Sequence, residues 1–179
     1  MEPVSPPPDR RPVVAVTLGD VAGIGPEVAV RGALDARVRQ QVRPLLVGRP
    51  EVVKRAVMLS GLAAEVAVIE SAAAIEERFA HDAPERQESL LIPVLVAGGS
   101  DVEHVRPGEI DARAGQGAYD ALIAAIDLAL GGAVDAVVTA PLHKESLRLA
   151  GIPLPGHTEV LAERCGAASH AMMLHLPQG

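Results

Sequence analysis

The sequence predicts an α/β fold with three α/β/α layers, in which helices cover both faces of a parallel sheet. Short β-branched runs, such as residues 13–16, alternate along the chain with longer segments of helical periodicity. Strands that alternate with helices are typical of βαβ units. Apolar residues make up 49% of the 179 residues, so the chain can build a substantial core.

The elements of the first half follow in chain order. Residues 1–12 are rich in proline and charge, which predicts a disordered tail. Residues 13–16 suit a buried strand. Pro26 fits the first position of a helix that runs to about Val38, because its missing N–H would be unpaired there in any case. The next predicted elements are a strand at 44–47, a helix at 51–59, a strand at 66–69, a helix at 71–79, a polar loop at 81–89 and a strand at 90–96.

Clear end signals mark the longest predicted helix, residues 112–130. Asp111 is a good N-cap, and Gly131 and Gly132 end the helix. Its polar residues fall at helical spacing and form one solvent-facing stripe: Arg113, Gln116, Asp120 and Asp127. A strand at 136–138 and a helix at 159–165 follow, which continues the alternation expected of a parallel sheet.

Composition and charge exclude several functions. The net charge of −7 argues against binding to a phosphate backbone. Phe79 and Tyr119 are the only aromatic residues, so the chain has no platform for stacking nucleobases. The most apolar long window, residues 121–140, is interrupted by Asp127 and Asp135 and does not predict a membrane span. We therefore expect neither nucleic acid nor a membrane as a partner.

Cysteine usage and the N-terminus predict a cytoplasmic protein. Cys165 is the single cysteine, which excludes a disulfide framework and favours a reducing compartment. We expect it to be buried, because a lone cysteine on a helix usually behaves as a small apolar residue. The first twelve residues contain no apolar segment of the kind that a secretory signal requires.

The segment TLGDVAGIGPE, residues 17–27, predicts a loop that allows close approach of the backbone. Its glycines, Gly19, Gly23 and Gly25, do not have the spacing of a Rossmann fingerprint, and the segment lacks the Gly-Lys-Ser/Thr ending of a P-loop. Asp20 would repel a phosphate unless it serves a hydroxyl group or a cation. Two interpretations remain open, a ligand-binding loop at a helix N-terminus and a tight structural turn.

The segment TAPLHK, residues 139–144, follows the strand predicted at 136–138. Residues just past the carboxyl ends of strands line the ligand crevice of open α/β sheets. Lys144 can offer a cation to a carboxylate or phosphate, or act as an acid or base if it is desolvated. The alternative is a solvated lysine at the start of a helix. We take Lys144 and Asp20 as candidate catalytic residues.

The segment PGHTE, residues 155–159, presents an imidazole and a hydroxyl group side by side before a helix. His157 and Thr158 suit a phosphate or hydroxy-acid ligand at that position. The alternative for Thr158 is that it only caps the helix. We take this pair as the candidate substrate-binding residues, and we expect them to share a pocket with Lys144.

No complete metal site can be assembled from the sequence. His170 and His175 are five residues apart, which is a poor helical pair for zinc, and no His-Glu-x-x-His motif occurs. Met172 and Met173 are expected in the core. No residue stands out as a ligand for a dinucleotide cofactor.

Taken together, the three segments resemble the 4-hydroxythreonine-4-phosphate dehydrogenase (PdxA) family. The resemblance rests on TLGDVAGIGPE, on Gly115 and Gly117 in the long helix, on DAVVTAPLHK, on AGIPLPGHTEVLAE and on the MML run that follows. It covers about residues 13–174. One departure is Val21, which stands where the family usually has proline.

The resemblance implies a fold similar to that of isocitrate and isopropylmalate dehydrogenases, with two α/β/α domains around a cleft and an active site shared across a homodimer. It implies oxidation of a secondary alcohol by NAD or NADP, followed by decarboxylation. It also implies a divalent metal (Zn, Mg or Co) that holds the substrate, and a phosphate-binding role for His157 and Thr158. His175 lies in a His-Leu-Pro sequence like that around the first metal ligand of the family.

Family members are nearly twice as long, so the resemblance implies the N-terminal half of such an enzyme. We expect residues 13–130 to form part of the first domain, residues 131–179 to begin the second, and the isolated chain to be inactive. The default substrate is 4-phosphooxy-L-threonine, in pyridoxal phosphate biosynthesis. The alternatives are 4-phospho-erythronate, an aromatic cis-dihydrodiol, a binding module without catalysis, and a remnant without function.

Overall fold

The computed structural model describes residues 11–80, 90–154 and 156–176. In those ranges the chain forms five β-strands, seven α-helices and a 3-10 helix at Ser100–His104. The strands are β1 (Val13–Thr17), β2 (Arg43–Gly48), β3 (Glu65–Ile69), β4 (Leu91–Val96) and β5 (Ala136–Thr139). The helices are α1 (Gly25–Leu34), α2 (Ala36–Gln41), α3 (Pro50–Leu59), α4 (Ala73–Ala80), α5 (Ala112–Leu130), α6 (Lys144–Leu149) and α7 (His157–Arg164).

The five strands form one parallel sheet in the order β3-β4-β2-β1-β5. The predicted parallel α/β arrangement is therefore confirmed. β1 lies between β2 and β5, with Val16 aligned to Leu46 on one side and to Val138 on the other. Because all strands run in the same direction, their carboxyl ends meet at one edge of the sheet.

Helices cover both faces of this sheet, as the three-layer prediction requires. Leu45 and Leu46 are consecutive residues of β2 and are both fully buried. Leu46 belongs to a core cluster that includes Val30 of α1 and Val53 of α3. Leu45 belongs to a second cluster, which includes Ala125 of α5 and residues of α4. Since adjacent strand residues point to opposite faces, each face has its own core.

The long helix has the predicted limits. α5 spans Ala112–Leu130, and the side chain of Asp111 accepts a hydrogen bond from the backbone N–H of Arg113 at 2.7 Å. Gly131 follows as the C-cap. The arginine also holds the pKa of the Asp111 carboxyl below its usual range, chiefly through its side-chain hydrogen bond. The predicted cap is confirmed.

Three predicted helix limits were wrong. The helix predicted at 71–79 begins two residues later, since α4 spans Ala73–Ala80. The first helix ends at Leu34 instead of about Val38, because Asp35 adopts an extended backbone and caps α2 with its side chain. The last helix begins at His157, two residues before the predicted start, with Gly156 as its N-cap. The polar loop predicted at 81–89 and most of the predicted tail lie outside the described residues.

The predicted burial of three residues near the C-terminus was also wrong. Cys165 is exposed at the end of α7. Met172 and Met173 are exposed in a segment without regular secondary structure. Apolar side chains are buried only where another element packs against them, and in the described residues none covers this segment.

The predicted domain boundary after residue 130 precedes β5, and β5 pairs with β1 in the same sheet as the preceding strands. α6 and α7 both pack against α5. The division of the chain into two domains at this residue stays a prediction. Among the described helices, none combines the length and apolar character needed to cross a bilayer.

Candidate functional site

Two of the three motifs follow neighbouring strands of the sheet. The glycine loop follows β1, and the TAPLHK segment begins in the last residue of β5 and continues beyond it. These strands are neighbours, and their paired ladder ends at Thr17 and Thr139. Both motifs therefore lie at the carboxyl edge of the sheet, where open α/β sheets bind ligands.

The glycine loop is packed against the protein's own backbone. Gly19 has a φ of +66°, and a Cβ atom built on it would lie 2.2 Å from the carbonyl oxygen of Pro141. A Cβ atom on Gly25 would lie 2.3 Å from the carbonyl oxygen of Leu18. These two glycines are needed for internal packing, which supports the structural-turn interpretation for them. Gly23, in contrast, is exposed at the outer part of the loop.

Asp20 connects this loop to the segment after β5. Its backbone N–H donates to the carbonyl oxygen of Pro141 at 2.9 Å. Its carboxylate accepts from the backbone N–H of Ala22 at 2.7 Å and from the hydroxyl group of Ser146 at 3.0 Å. Asp20 is only 5% exposed. The geometry gives it a positioning role, and a direct catalytic role for it stays a prediction.

Sequence reasoning did not find Ser146, the buried partner of Asp20. Ser146 lies on α6, two residues after Lys144, and is completely buried. α6 packs closely on α5, since a Cβ atom on Gly115 would lie 2.0 Å from the carbonyl oxygen of Ser146. In the structure, Glu145 and Arg148 of the same helix pair with each other at the surface, whereas Ser146 adjoins buried Leu147.

Lys144 is the first residue of α6 and is exposed. A cation at a helix N-terminus opposes the helix dipole, so this position does not stabilise α6. Through Ser146 and Asp20, the helix that carries Lys144 is held against the glycine loop. The structure therefore joins the first two predicted motifs and presents the ammonium group to solvent beside them.

His157 and Thr158 are the first two residues of α7 and are both partly buried. Burial lowers the pKa of the His157 imidazole below its ordinary value, because desolvation disfavours the charged ring. Because Gly156 is the N-cap, the alternative that Thr158 caps the helix was wrong. The Thr158 hydroxyl is thus not used as a cap.

α7 is fixed by its contact with α5. Val160 is buried against Leu122 and Ile126 in a third core cluster. Beside this contact lies a cavity of about 470 Å³, and Asp127 and Arg164 form an ion pair of 2.7 Å in its lining. Neither His157 nor Lys144 lines this cavity. A pocket shared by those two residues stays a prediction.

The described residues do not fit a metal ion. They contain no group of three or more histidine, cysteine, aspartate or glutamate side chains that could hold one. His175 is exposed and lies in a segment without regular structure. Its role as a ligand stays a prediction, which requires partners outside the described ranges.

The described glycine loop does not fit a dinucleotide cradle either. Gly19 and Gly25 are in contact with backbone atoms of the chain itself, whereas a Rossmann loop uses its glycines to admit the pyrophosphate. We therefore do not assign Gly19 or Gly25 to NAD.

The all-parallel sheet with helices on both faces defines an open α/β protein, and proteins of this class commonly bind ligands at the carboxyl ends of their strands. The particular assignment follows from sequence comparison. The chain belongs to the PdxA family, because residues 40–178 match the profile described as "Pyridoxal phosphate biosynthetic protein PdxA".

The curated relatives are named dehydrogenases. The chain is 40% identical over 169 residues to D-threonate 4-phosphate dehydrogenase of Bordetella bronchiseptica, covering 93% of this chain and 45% of the relative. It is 41% identical over 161 residues to 4-hydroxythreonine-4-phosphate dehydrogenase of Beijerinckia indica, covering 90% of this chain and 44% of the relative. The chain thus belongs to an oxidoreductase family and spans less than half the length of these relatives.

Solved structures agree with this assignment. A 4-hydroxythreonine-4-phosphate dehydrogenase from Burkholderia phymatum superimposes with a TM-score of 0.78 at 35% identity, covering 94% of this chain and 48% of that one. A terephthalate 1,2-cis-dihydrodiol dehydrogenase from Burkholderia xenovorans superimposes with a TM-score of 0.61 at 25% identity, covering 88% of this chain and 41% of that one. The fold is therefore that of the PdxA dehydrogenases.

Proposed function

We propose that the chain forms part of a dehydrogenase that oxidises a phosphorylated hydroxy acid, such as 4-phosphooxy-L-threonine, with NAD or NADP. The observation that carries this proposal is family membership, since relatives at 40% and 41% identity are named for phosphorylated substrates of this kind. The adjacent strand exits, which carry the glycine loop and Lys144, support it. On this proposal the enzyme acts in pyridoxal phosphate biosynthesis, or on a related acid such as 4-phospho-erythronate.

We assign phosphate binding to His157 and Thr158 and carboxylate or proton-transfer chemistry to Lys144. A half-buried imidazole and an uncommitted hydroxyl at a helix start can donate hydrogen bonds to phosphate oxygens. A lysine ammonium suits a carboxylate. Asp20 holds the Lys144 helix against the glycine loop, so it sets the position of that cation.

The cofactor, and not a side chain, is the oxidant in the proposed reaction. NAD or NADP accepts the hydride when bound, and the family resemblance adds a divalent metal (Zn, Mg or Co) and a homodimer. The described residues contain no metal-ligand group, and Gly19 and Gly25 of the glycine loop pack on the chain's own backbone. An exposed thiol at Cys165 supports a reducing compartment, and we propose the cytoplasm.

Titration calorimetry with the 179-residue chain tests the assigned phosphate site. We expect D-threonate 4-phosphate and 4-phosphooxy-L-threonine to bind, unphosphorylated D-threonate not to bind, and inorganic phosphate to compete. His157→Ala and Thr158→Val should each weaken binding about tenfold or more, which corresponds to the loss of one charge-assisted hydrogen bond. His104→Ala, at an exposed histidine on another element, is the matched control. Equal binding by all four proteins contradicts the assignment.

A second candidate is a binding module that holds the phosphorylated ligand without catalysis. The lack of a metal-ligand group in the described residues favours this candidate for the chain on its own. It predicts that ligand affinity does not change when a divalent cation is added. A cis-dihydrodiol substrate, in contrast, has no phosphate, so inorganic phosphate should not compete with it.

A further inference from the structure

Arg55 of α3 joins the glycine loop to the segment that follows β4. Its guanidinium group donates a hydrogen bond of 3.0 Å to the carbonyl oxygen of Val21 in the loop. It also donates to the carbonyl oxygens of Glu103 and Val105, at 3.4 and 3.3 Å. An arginine carries five N–H groups in a rigid planar fork, so one side chain can serve several acceptors. Arg55 therefore holds together two segments that are far apart in the sequence.

The carbonyl groups that Arg55 contacts belong to residues with little access to water. Val21 and Val105 are 6% and 1% exposed. Val105 is the C-cap of the 3-10 helix that contains Glu103, and the last carbonyl groups of a helix have no partner within it. A buried carbonyl group without a donor is destabilising. The guanidinium group of Arg55 thus caps this helix and satisfies the loop at the same time.

The segment after β4, residues 97–108, is itself fixed to the rest of the chain. A Cβ atom on Gly117 of α5 would lie 2.6 Å from Cγ1 of Val102, so the segment packs closely on α5. Arg49, the N-cap of α3, donates two hydrogen bonds of 3.0 and 2.9 Å to the carboxylate of Glu103. This segment can therefore act as a support for the glycine loop.

Three consecutive residues of the glycine loop each accept a hydrogen bond from a different part of the chain. The donor and acceptor pairs are the Ser146 hydroxyl with Asp20, the Arg55 guanidinium with Val21, and the Gly108 N–H with Ala22. The first donor follows β5, and the other two follow β2 and β4, which lie on the opposite side of β1 in the sheet. The loop is thus held from both sides, and Gly23 and Ile24 are its exposed residues.

We infer that Arg55 is a positioning residue of the carboxyl edge of the sheet. It fixes the glycine loop against the segment after β4, and through Asp20 and Ser146 it fixes the helix that presents Lys144. A site that is held in place before a ligand arrives loses less conformational freedom on binding. The effect on ligand binding rests on the proposed function, in which Lys144 contacts the ligand carboxylate. The fixation of the loop does not depend on that function.

Amide hydrogen exchange of the 179-residue chain tests this fixation. The reporters are the N–H groups of Asp20 in the loop and Ala150 at the end of α6, which donate to the carbonyl oxygens of Pro141 and Ser146. Arg55→Ala should speed exchange at both reporters, by about tenfold or more at Asp20, because opening of the loop no longer breaks the arginine hydrogen bonds. The N–H of residue 165, at the end of α7, opens without breaking those bonds and should keep its rate.

Two further variants make the exchange experiment specific. Arg55→Lys keeps the charge and offers one nitrogen in place of the fork, so it should speed exchange at Asp20 in the same direction, and it provides the test if Arg55→Ala does not fold. Arg43→Ala is the matched control. Arg43 is also half-buried and donates to two carbonyl groups, those of Arg11 and Phe79, but it lies at the start of β2. It should leave the loop reporter unchanged.

Titration calorimetry tests whether Arg55 acts through Lys144. Arg55→Ala should weaken binding of D-threonate 4-phosphate about tenfold or more. Its affinity for inorganic phosphate should stay unchanged, because phosphate has no carboxylate for the lysine to contact. Lys144→Ala should show the same selectivity. The double variant should bind the acid no more weakly than Lys144→Ala does, since the effects of residues that act through one another do not add.

Four results overturn the inference. They are unchanged exchange at Asp20 in both Arg55 variants, equal acceleration of that exchange in Arg43→Ala, equal losses of affinity for the acid and for phosphate, and additive losses in the double variant. A wild-type chain that binds neither ligand contradicts the proposed function instead. In that case the exchange rates at Asp20 and Ala150 decide the inference on their own.

Discussion

The hydroxyl group of Ser146 donates a hydrogen bond of 3.0 Å to the carboxylate of Asp20, although 126 positions separate these residues in the sequence. Both side chains are buried. The bond fixes α6, and with it Lys144, against the loop that follows β1. Two motifs from opposite ends of the chain therefore behave as one structural unit.

Ser146→Ala removes the hydroxyl group that donates to the Asp20 carboxylate, so one buried carboxylate oxygen loses that hydrogen bond. We expect the free energy of unfolding to fall by about 1 to 3 kcal/mol, the cost of an unpaired buried polar group, as measured by urea denaturation. Ser60→Ala is the matched control, because the Ser60 hydroxyl is buried without a hydrogen-bond partner among the described residues. That control should be neutral or slightly stabilising, and equal losses in the two variants contradict the prediction.

Gly19→Ala should destabilise the protein more than its backbone conformation alone requires. Gly19 and Gly61 have φ values of +66° and +65°, but only Gly19 has a carbonyl oxygen 2.2 Å from the position of a Cβ atom. Gly61→Ala should cost about 1 to 2 kcal/mol for the left-handed conformation. Gly19→Ala should cost at least ~2 kcal/mol more, because the backbone after β5 must move. Thermal or urea unfolding of the pair measures the difference, and similar costs argue against close packing of the loop.

His157 should titrate below its ordinary pKa in the free protein, because burial disfavours the imidazolium. A phosphorylated ligand beside the ring should raise that pKa, since an anion favours the charged form. NMR titration of the histidine ring signals with and without D-threonate 4-phosphate measures both values, and His157→Gln identifies the signal. Ligand should leave the His104 signals unchanged. A His157 pKa that does not respond to ligand contradicts the phosphate assignment.

The same shift makes stability depend on pH. The unfolded chain binds a proton at residue 157 more readily than the folded chain, so the contribution of His157 to stability is present above its ordinary pKa and is lost as pH falls below that value. His157→Gln should flatten this part of the profile of unfolding free energy against pH. An unchanged slope in that variant means that other groups cause the dependence.

The purified 179-residue chain should show no NAD-dependent turnover above background. Its described residues contain no group of side chains that could hold a metal ion, and Gly19 and Gly25 pack on the chain's own backbone. Catalysis requires all reacting groups to be held together. Formation of NADH from 4-phosphooxy-L-threonine or D-threonate 4-phosphate, with a divalent cation present, is the measurement. The Bordetella relative is the positive control. Measurable turnover by the chain alone refutes this prediction.

Local signals predicted most of the fold. β1 and β2 are short β-branched or aliphatic runs, and α5 lies between the Asp111 cap and Gly131, so these elements were predictable within one residue at each end. The end of the first helix was missed because Asp35 can either continue a helix or cap the next one. Nothing in its immediate neighbours decides between these two roles.

The site was less predictable, because its key contacts join distant residues. The sequence pattern of α6 does not reveal that Ser146 donates a hydrogen bond to Asp20. The sequence of the glycine loop does not reveal that Gly19 packs against Pro141. The prediction of burial for residues near the C-terminus was wrong for a related reason. Cys165 and Met172 are apolar or nearly so, but burial requires a packing partner, which composition alone does not identify.

The position of β1 between β2 and β5 has a consequence for biosynthesis. About 90 residues separate the end of β2 from the start of β5. At typical ribosomal rates, roughly 5 to 20 seconds pass before β5 has been synthesised and can pair with β1. During that interval one side of β1 has no strand neighbour, so the central strand of the sheet is completed only after most of the chain has been synthesised.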